Sequence, residues 1–166
     1  MAYTPMKRTT VATDPGASGA TAIQWADGKV SVHAWKGPSD FKEVVQTILE
    51  GSMDDDANPI WVLEDPPKTT GMKRPEATGF VLGHAFGFIH GYVMAVGFAL
   101  ELVKPKGWQQ GIVGIPRGKK LYPARKKFFK EVAARYFPQT KVTQKNADSL
   151  LILQWRTERY TNGYIK

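Results

Sequence analysis

The sequence predicts an α/β domain in which a mixed five-stranded sheet is flanked by helices. Three observations lead to this fold class. Residues 8 to 35 contain three short alternating segments joined by tight turns, the pattern of a β-meander. A continuous apolar run, Ile60–Leu63, is typical of a strand that is covered on both faces. Segments with helical spacing of apolar residues lie between and after these strands, so the predicted order is β-β-β-α-β-α-β-α-α.

Length and composition limit the classes of protein that fit. The chain has 166 residues, 42% of them hydrophobic, which suits one well-filled core and a single domain over residues 1–166. It has no cysteine, which excludes disulfides and thiolate metal sites and makes a reducing cytoplasm the expected compartment. Lysine and arginine number 23 against 15 acidic residues, and the formal net charge is +8. This excess favours a polyanionic partner, with nucleic acid the first candidate.

The first two predicted strands, residues 8–13 and 20–25, enclose a turn with one acid at its mouth. Asp14 is followed by small residues up to Gly19. Such a turn leaves the carboxylate uncrowded and suits a metal or phosphate site, although an ordinary Asp-Pro-Gly turn is the commoner arrangement. A third strand is predicted over Lys29–Trp35, after the Asp27-Gly28 turn.

The middle of the chain is predicted to be a helix followed by a buried strand. Ser39 is the candidate N-cap of this helix, which continues to Gly51 with an apolar face of Phe41, Val44, Val45, Ile48 and Leu49. The strand over Ile60–Leu63 ends directly on Glu64 and Asp65. A basic loop then leads to a long apolar helix from about Glu76 to Val96.

Four glycines recur at every fourth residue of this apolar helix and line one of its faces: Gly79, Gly83, Gly87 and Gly91. Each costs about 1 kcal/mol relative to alanine, so another surface should approach closely enough to compensate. We expect a self-paired helix across a two-fold axis, and hence a homodimer, with packing inside the monomer as the alternative. The helix is also long enough to span a membrane, but its histidines and its place between two strands argue against a membrane protein.

Positive charge is concentrated after the next predicted strand, Phe98 to Val103. Between Lys104 and Lys130 there are nine basic residues and no acid. The net charge of this segment therefore exceeds the net charge of +8 of the whole chain, which acids elsewhere reduce. Trp108 lies within it and is expected in the core, with stacking on a base as the alternative. A helix is predicted over Tyr122–Tyr136, whose basic residues Arg125, Lys126, Lys127 and Lys130 would form a solvated face. The basic residues expected to contact nucleic acid are Lys68, Lys73, Arg74, Lys104, Lys106, Lys119 and Lys120.

Three acids are expected to meet at one edge of the sheet. If the strand before Glu64 lies parallel to the first strand, Asp14 and Glu64 become neighbours at the carboxyl edge, where ligands of such sheets gather. Asp148 falls in the first turn of the last predicted helix and could face the same edge, although the helix dipole alone would favour an acid there. Three carboxylates without a neighbouring base repel one another unless a divalent cation lies among them. Together they predict a site for Mg²⁺.

Four segments resemble, in the same order, the RuvC family of Holliday junction resolvases, and most closely its bacteriophage-type members. They are Asp14-Pro-Gly-Ala-Ser-Gly, Val62-Leu-Glu64-Asp-Pro-Pro, Leu102-Val-Lys-Pro-Lys-Gly-Trp and Asn146-Ala-Asp148-Ser-Leu-Leu-Ile. The resemblance implies an RNase H-like fold, a homodimer, and an endonuclease that uses Mg²⁺, or Mn²⁺ in its place, to nick opposed strands of a four-way junction. It implies that Asp14, Glu64 and Asp148 bind the metal. It also implies a phage-encoded protein that acts in the host cytoplasm.

One position departs from the family pattern. The family usually has an acid or a histidine three residues before its last aspartate, and this chain has Lys145 there. A protonated lysine cannot bind Mg²⁺, so Asp65 is the nearest candidate to complete the site. Lys145 could contact the scissile phosphate, or be a solvated side chain without a catalytic role.

The sequence is compatible with two other functions. The departure at Lys145 allows a branched-DNA-binding protein whose catalysis has weakened. The glycine-rich turn after Asp14 also resembles the phosphate loop of actin-like kinases and ATPases. Those folds usually duplicate the domain, and 166 residues leave no room for a second copy.

Overall fold

A computed structural model describes residues 8–16, 19–66 and 76–161. One sheet organises this part of the chain, and its strands are Thr10–Asp14 (β1), Gly19–Gln24 (β2), Val30–Trp35 (β3), Ile60–Glu64 (β4) and Ala99–Val103 (β5). Their order across the sheet is β3-β2-β1-β4-β5. β1 pairs antiparallel with β2 and parallel with β4, β2 pairs antiparallel with β3, and β4 pairs parallel with β5. The predicted mixed five-stranded sheet, with its first and fourth strands parallel, is therefore confirmed.

Helices cover both faces of the sheet. The short helix Pro105–Trp108 and a 3-10 turn over Lys119–Leu121 were not predicted, because both are too short to show a helical period. The candidate N-cap at Ser39 was wrong: the first helix begins at Pro38, and Ser39 lies inside it. Proline at the first helical position has the φ angle that a helix start requires. The helices are Pro38–Gly51 (α1), Glu76–Val96 (α2), Pro105–Trp108 (α3), Tyr122–Tyr136 (α4) and Ala147–Thr161 (α5).

Alternation along the central strands divides the apolar residues between two cores. On β1, Val11 faces the core formed with α1 and α2, and Ala12 faces the core that holds α5. On β4, Trp61 and Leu63 belong to the first core and Val62 to the second. Successive residues of a strand point to opposite faces, so a strand buried on both faces must be apolar throughout. The continuous apolar run of β4 is explained by this position.

Four buried side chains brace the end of β1, one residue before Asp14. The hydroxyl groups of Thr13 and Thr21 lie 2.9 Å apart and share a hydrogen bond. Trp61 donates its indole N–H to Thr13 Oγ1 at 3.1 Å, and Trp35 donates to Thr21 Oγ1 at 3.2 Å. A Cβ added to Gly19 would overlap the Trp35 ring, so only glycine allows this approach. Gly19 thus packs against Trp35, rather than only keeping the mouth of the turn open.

α2 connects β4 to β5 and leaves much of its surface uncovered. Ile89 and Val93 are buried against the sheet, whereas Phe80 is 74% exposed. A Cβ added at Gly79, Gly83, Gly87 or Gly91 would meet nothing within 4 Å in the described structure. The alternative in which the glycine face packs inside the monomer is therefore wrong for the part of the chain described here.

Length and composition alone would allow the segment Gly79–Val96 to cross a membrane, because its mean hydropathy is 1.4. Its two ends, however, are connected to neighbouring parallel strands of one sheet. A helix that returns the chain to the same sheet is the usual crossover between parallel strands. The connectivity therefore favours a crossover helix over a membrane span.

Candidate metal and nuclease site

The carboxyl edge of the sheet brings three acids from distant parts of the chain together. Asp14 is the last residue of β1 and Glu64 the last residue of β4, and these strands are parallel neighbours. Asp148 is the second residue of α5, which packs on β1, β2 and β4. Asp14 and Glu64 are partly buried, and Asp148 is buried. The sheet and α5 thus supply one rim of negative charge.

A hydrogen-bonded turn before α5 sets the position of Asp148. Asn146 Oδ1 accepts from the backbone N–H of Thr143 at 2.7 Å, and its amide group donates to Lys141 O. Ser149 donates its hydroxyl to Asn146 O at 2.9 Å. Asn and Ser favour such local bonds at helix starts, which explains why the helix begins here. Asp148 is thereby held in the first turn, facing the strand ends.

The three carboxylates are close enough to change one another's ionisation. Burial, followed by repulsion from Asp148, raises the pKa of Asp14 to about 6. Burial, followed by repulsion from Asp14, raises the pKa of Glu64 to about 8. Raised carboxyl pKa values in a cluster are typical of functional sites, because a stable fold gains nothing from crowding like charges.

Trp108 contacts the site from the end of α3. Its indole N–H donates to Glu64 Oε2 at 2.6 Å, and this bond lowers the Glu64 pKa against the larger effect of burial. The ring is buried and packs against Phe129 of α4, with the ring centroids 5.3 Å apart. The expected core position of Trp108 is confirmed, and its contact with Glu64 was not foreseen. The sequence signal is the position of this tryptophan just after β5, the neighbour of β4.

Lys126 of α4 is the second site residue that the sequence analysis missed. Its ammonium lies 2.5 Å from Asp148 Oδ2. The prediction of a solvated face holds for Lys127 and Lys130, but Lys126 turns toward the site and is partly buried. Lys126, Phe129 and Ala133 share one face of the helix, and the latter two are buried. That spacing was the signal in the sequence that could have identified Lys126.

The donor set fits a divalent cation. Carboxylate oxygens are the ligands that Mg²⁺ prefers. Asp148 Oδ1 is buried and has no hydrogen-bond partner among the described residues, which is costly for an acceptor unless a cation binds it. As the side chains lie, no three acids or histidines among the described residues stand close enough to enclose an ion. Mutual repulsion of the carboxylates disfavours such closeness, and Lys126 holds one oxygen of Asp148.

The two remaining predicted site residues lie close by in the chain. Asp65 follows β4, and its backbone N–H donates to Val103 O at 2.8 Å. Lys145 is exposed in the turn before α5 and has no ion pair with any described residue.

Of the predicted DNA contacts, Lys104 and Lys106 lie at the same edge as the acids. They follow Val103, which is the register partner of Glu64, and both are exposed. Lys120 is exposed in the 3-10 turn that leads to α4, and Lys119 lies in the same turn. Lys68, Lys73 and Arg74 lie outside the described residues.

Comparison with known proteins finds similarity in the three-dimensional fold. No protein-family model and no curated protein matches the sequence. Among solved structures, RuvC of Thermus thermophilus in complex with a Holliday junction substrate is similar, with a TM-score of 0.57 and 12% identity. That match covers 93% of this chain and 96% of the RuvC chain. A second Thermus thermophilus RuvC structure gives a TM-score of 0.55 and 13% identity, with the same coverage of both chains.

These matches establish the architecture. The five-stranded mixed sheet with flanking helices is the RNase H-like fold of RuvC, as the sequence resemblance implied. At 12 to 13% identity the likeness does not extend to the bacteriophage-type members in particular. The chain therefore has a RuvC-like fold with three acids at the carboxyl edge of its sheet.

Proposed function

We propose that this protein is a metal-dependent endonuclease that cuts four-way or otherwise branched DNA by paired nicks. The observation that carries the proposal is the convergence of Asp14, Glu64 and Asp148 from two parallel strands and a helix onto one edge. A RuvC-like fold around this edge and a locally basic surface support it. The absence of cysteine suits the cytoplasm as the place of action.

Asp14, Glu64 and Asp148 would hold Mg²⁺, or Mn²⁺ in its place, with Asp65 as the candidate for a further ligand. When bound, a pair of such ions would provide the chemistry of water activation and leaving-group stabilisation for phosphodiester hydrolysis. Trp108 would keep the Glu64 carboxylate in one orientation. Lys145, exposed three residues before Asp148, would contact the scissile phosphate.

The basic residues would hold the DNA backbone beside a rim that otherwise repels phosphate. Lys104 and Lys106 flank the acids directly, and Lys119 and Lys120 lie in the turn before α4. Lys68, Lys73 and Arg74 follow β4 in the sequence and would extend the same surface. Contacts of this kind make the affinity for DNA fall with added salt.

A second copy of this chain is the proposed protein partner, through the glycine face of α2. A Cβ at any of its four glycines would meet nothing within 4 Å in the described structure. Phe80, Val81 and Met94 of the same helix are exposed. Close helix pairing would bury this surface and place two sites for paired nicks in one particle.

The test uses a synthetic four-way junction with MgCl₂ and the variants Asp14→Asn and Asp148→Asn. We expect cleavage to fall by at least about 10²-fold while junction binding persists, because the carboxylates hold metal rather than DNA. Asp27→Asn is the matched control, since Asp27 is exposed and forms an ion pair with its neighbour Lys29, outside the cluster of Asp14, Glu64 and Asp148. Full cleavage by Asp14→Asn would refute the proposed site.

The second candidate function is a branched-DNA-binding protein with weakened catalysis. The observation that favours it is Lys145 at the position of an expected ligand. Wild-type protein that binds the junction but cuts no strand in MgCl₂ or MnCl₂ would support this candidate over the nuclease.

A further inference from the structure

Lys126 lies beside the cluster of acids formed by Asp14, Glu64 and Asp148. Its ammonium lies 2.5 Å from Asp148 Oδ2, while the other oxygen of that carboxylate is buried and has no hydrogen-bond partner in the described part of the chain. The Lys126 and Asp148 side chains are only 24% and 12% exposed. Solvent therefore screens the attraction between these two charges less than it screens the attraction in the exposed pair of Asp27 and Lys29.

The lysine reaches the acid from a different element. α4 packs along α5, and Phe129 and Ala133 anchor the face that carries Lys126. The ammonium also lies 6.0 Å from the centroid of the Tyr122 ring. The long, flexible stem of a lysine lets the charge leave Asp148 without any movement of the helix.

We propose that Lys126 is an internal counter-ion that binds Asp148 in the metal-free protein and is displaced when a divalent cation enters the site. This inference rests on the proposed function. An ammonium in contact with Oδ2 and a doubly charged ion on the same carboxylate would repel each other strongly at such a separation. In the metal-free protein, Lys126 thus offsets the repulsion of Asp148 by the neighbouring carboxylates. When metal is present, Lys126 competes with it for Asp148.

Displacement has two measurable consequences. The Lys126 amine is shielded and ion-paired without metal, so it reacts slowly with an acylating reagent and becomes reactive on metal binding. Loss of the ammonium frees Asp148, so Lys126→Gln binds Mn²⁺ more tightly, on the order of tenfold, because a charged hydrogen bond no longer has to be broken.

The experiment combines amine labelling with calorimetry on the full chain, using MnCl₂ as the probe. Labelling of each lysine is followed by mass spectrometry with and without MnCl₂, and Lys127, exposed on the same helix, is the internal control. We expect Lys126 labelling to rise several-fold with metal while Lys127 labelling stays constant. In Asp148→Asn, Lys126 should react fast in both conditions.

Calorimetry then distinguishes direct competition between Lys126 and Mn²⁺ for Asp148 from a general repulsion of the metal by positive charge on α4. Lys127→Gln removes the same charge from the same helix without touching Asp148, so its Mn²⁺ affinity should stay close to that of the wild type. Equal affinities for Lys126→Gln and Lys127→Gln would overturn the proposal, as would Lys126 staying unreactive in metal-loaded wild-type protein. If the wild type binds no Mn²⁺, the metal-dependent function fails as well. The labelling result needs no variant to fold.

Discussion

Trp108 donates its indole N–H to Oε2 of Glu64 at 2.6 Å, which joins a buried aromatic ring of the core to a carboxylate of the proposed metal site. The bond favours the ionised form of Glu64, whose pKa is otherwise raised by burial and by Asp14. Ionised carboxylate is the form that binds metal. Trp108 therefore serves as a positioning residue for the candidate ligand.

The first prediction concerns Trp108→Phe, which keeps an aromatic ring in the core and removes the hydrogen bond. We expect Mn²⁺ affinity to fall by about 10- to 100-fold, the usual effect of losing a group that orients a metal ligand. Calorimetric titration with MnCl₂ measures it. Trp25→Phe is the matched control, because Trp25 donates its indole N–H to Ser31, away from the site. Equal affinities of the two variants would contradict the role of Trp108.

A second prediction follows from the raised pKa values of Asp14 and Glu64. The folded state holds protons on these acids more tightly than the unfolded chain does, so their contribution favours folding at low pH. It is fully present below the unfolded values near pH 4 and is lost as pH rises through about 6 for Asp14 and about 8 for Glu64. Metal-free protein should thus lose stability between about pH 4.5 and 8 relative to a variant without these acids.

Urea unfolding in the presence of a chelator measures this pH dependence. The double variant Asp14→Asn, Glu64→Gln removes both titrating groups and should flatten the profile over the same range. Added MgCl₂ should stabilise the wild type more at pH 8 than at pH 5, because protons compete with metal for the same oxygens. A wild-type profile that matches the double variant would contradict the assigned shifts.

A third prediction concerns the glycine face of α2. Gly83→Leu should stabilise the monomer, by up to about 1 kcal/mol, because leucine favours a helix more than glycine does. The same change should weaken self-association, because a large side chain blocks close helix approach. Sedimentation equilibrium and urea unfolding measure the two effects, whose opposite signs separate an interface residue from a damaged fold. A wild-type monomer at micromolar concentration would remove the basis of the dimer.

A fourth prediction separates the two interpretations of Lys145. The side chain is exposed, so Lys145→Ala should change the free energy of unfolding by less than about 0.5 kcal/mol. If Lys145 contacts phosphate, the variant should bind a junction more weakly and the slope of log affinity against log salt should shrink by about 1. Lys127→Ala on α4 is the control. An unchanged salt slope and cleavage rate would make Lys145 a solvated side chain only.

Much of the fold follows from local pattern, because the sheet has one strand buried on both faces and a meander of alternating strands. The apolar run Ile60–Leu63 indicates a central strand. The proximity of Asp14 and Glu64 follows because each ends one of two parallel strands at the same edge of the sheet. The position of Asp148 can be predicted because polar residues mark the start of helix α5, and Asp148 falls in its first turn. These features depend on neighbours in sequence or on the general geometry of a sheet.

The rest depends on contacts between distant segments, which local pattern does not carry. Lys126 looks like any lysine of a basic helix until α4 packs on α5 and brings it to Asp148. Gly19 looks like a turn residue until β2 pairs with β3 and brings Trp35 against it. Ser39 has the side chain of a typical helix cap, but the fixed φ angle of Pro38 starts the helix one residue earlier.

The most direct test of the central claim is a side-by-side cleavage assay of a four-way junction, a flap, a fork and a linear duplex in MgCl₂, with Asp14→Asn as the control. We predict that the wild type nicks opposed strands of the junction far faster than it cuts the linear duplex. Asp14→Asn should bind the junction and leave it intact. Cleavage by Asp14→Asn at the wild-type rate, or equal cleavage of junction and linear duplex by the wild type, would contradict the account.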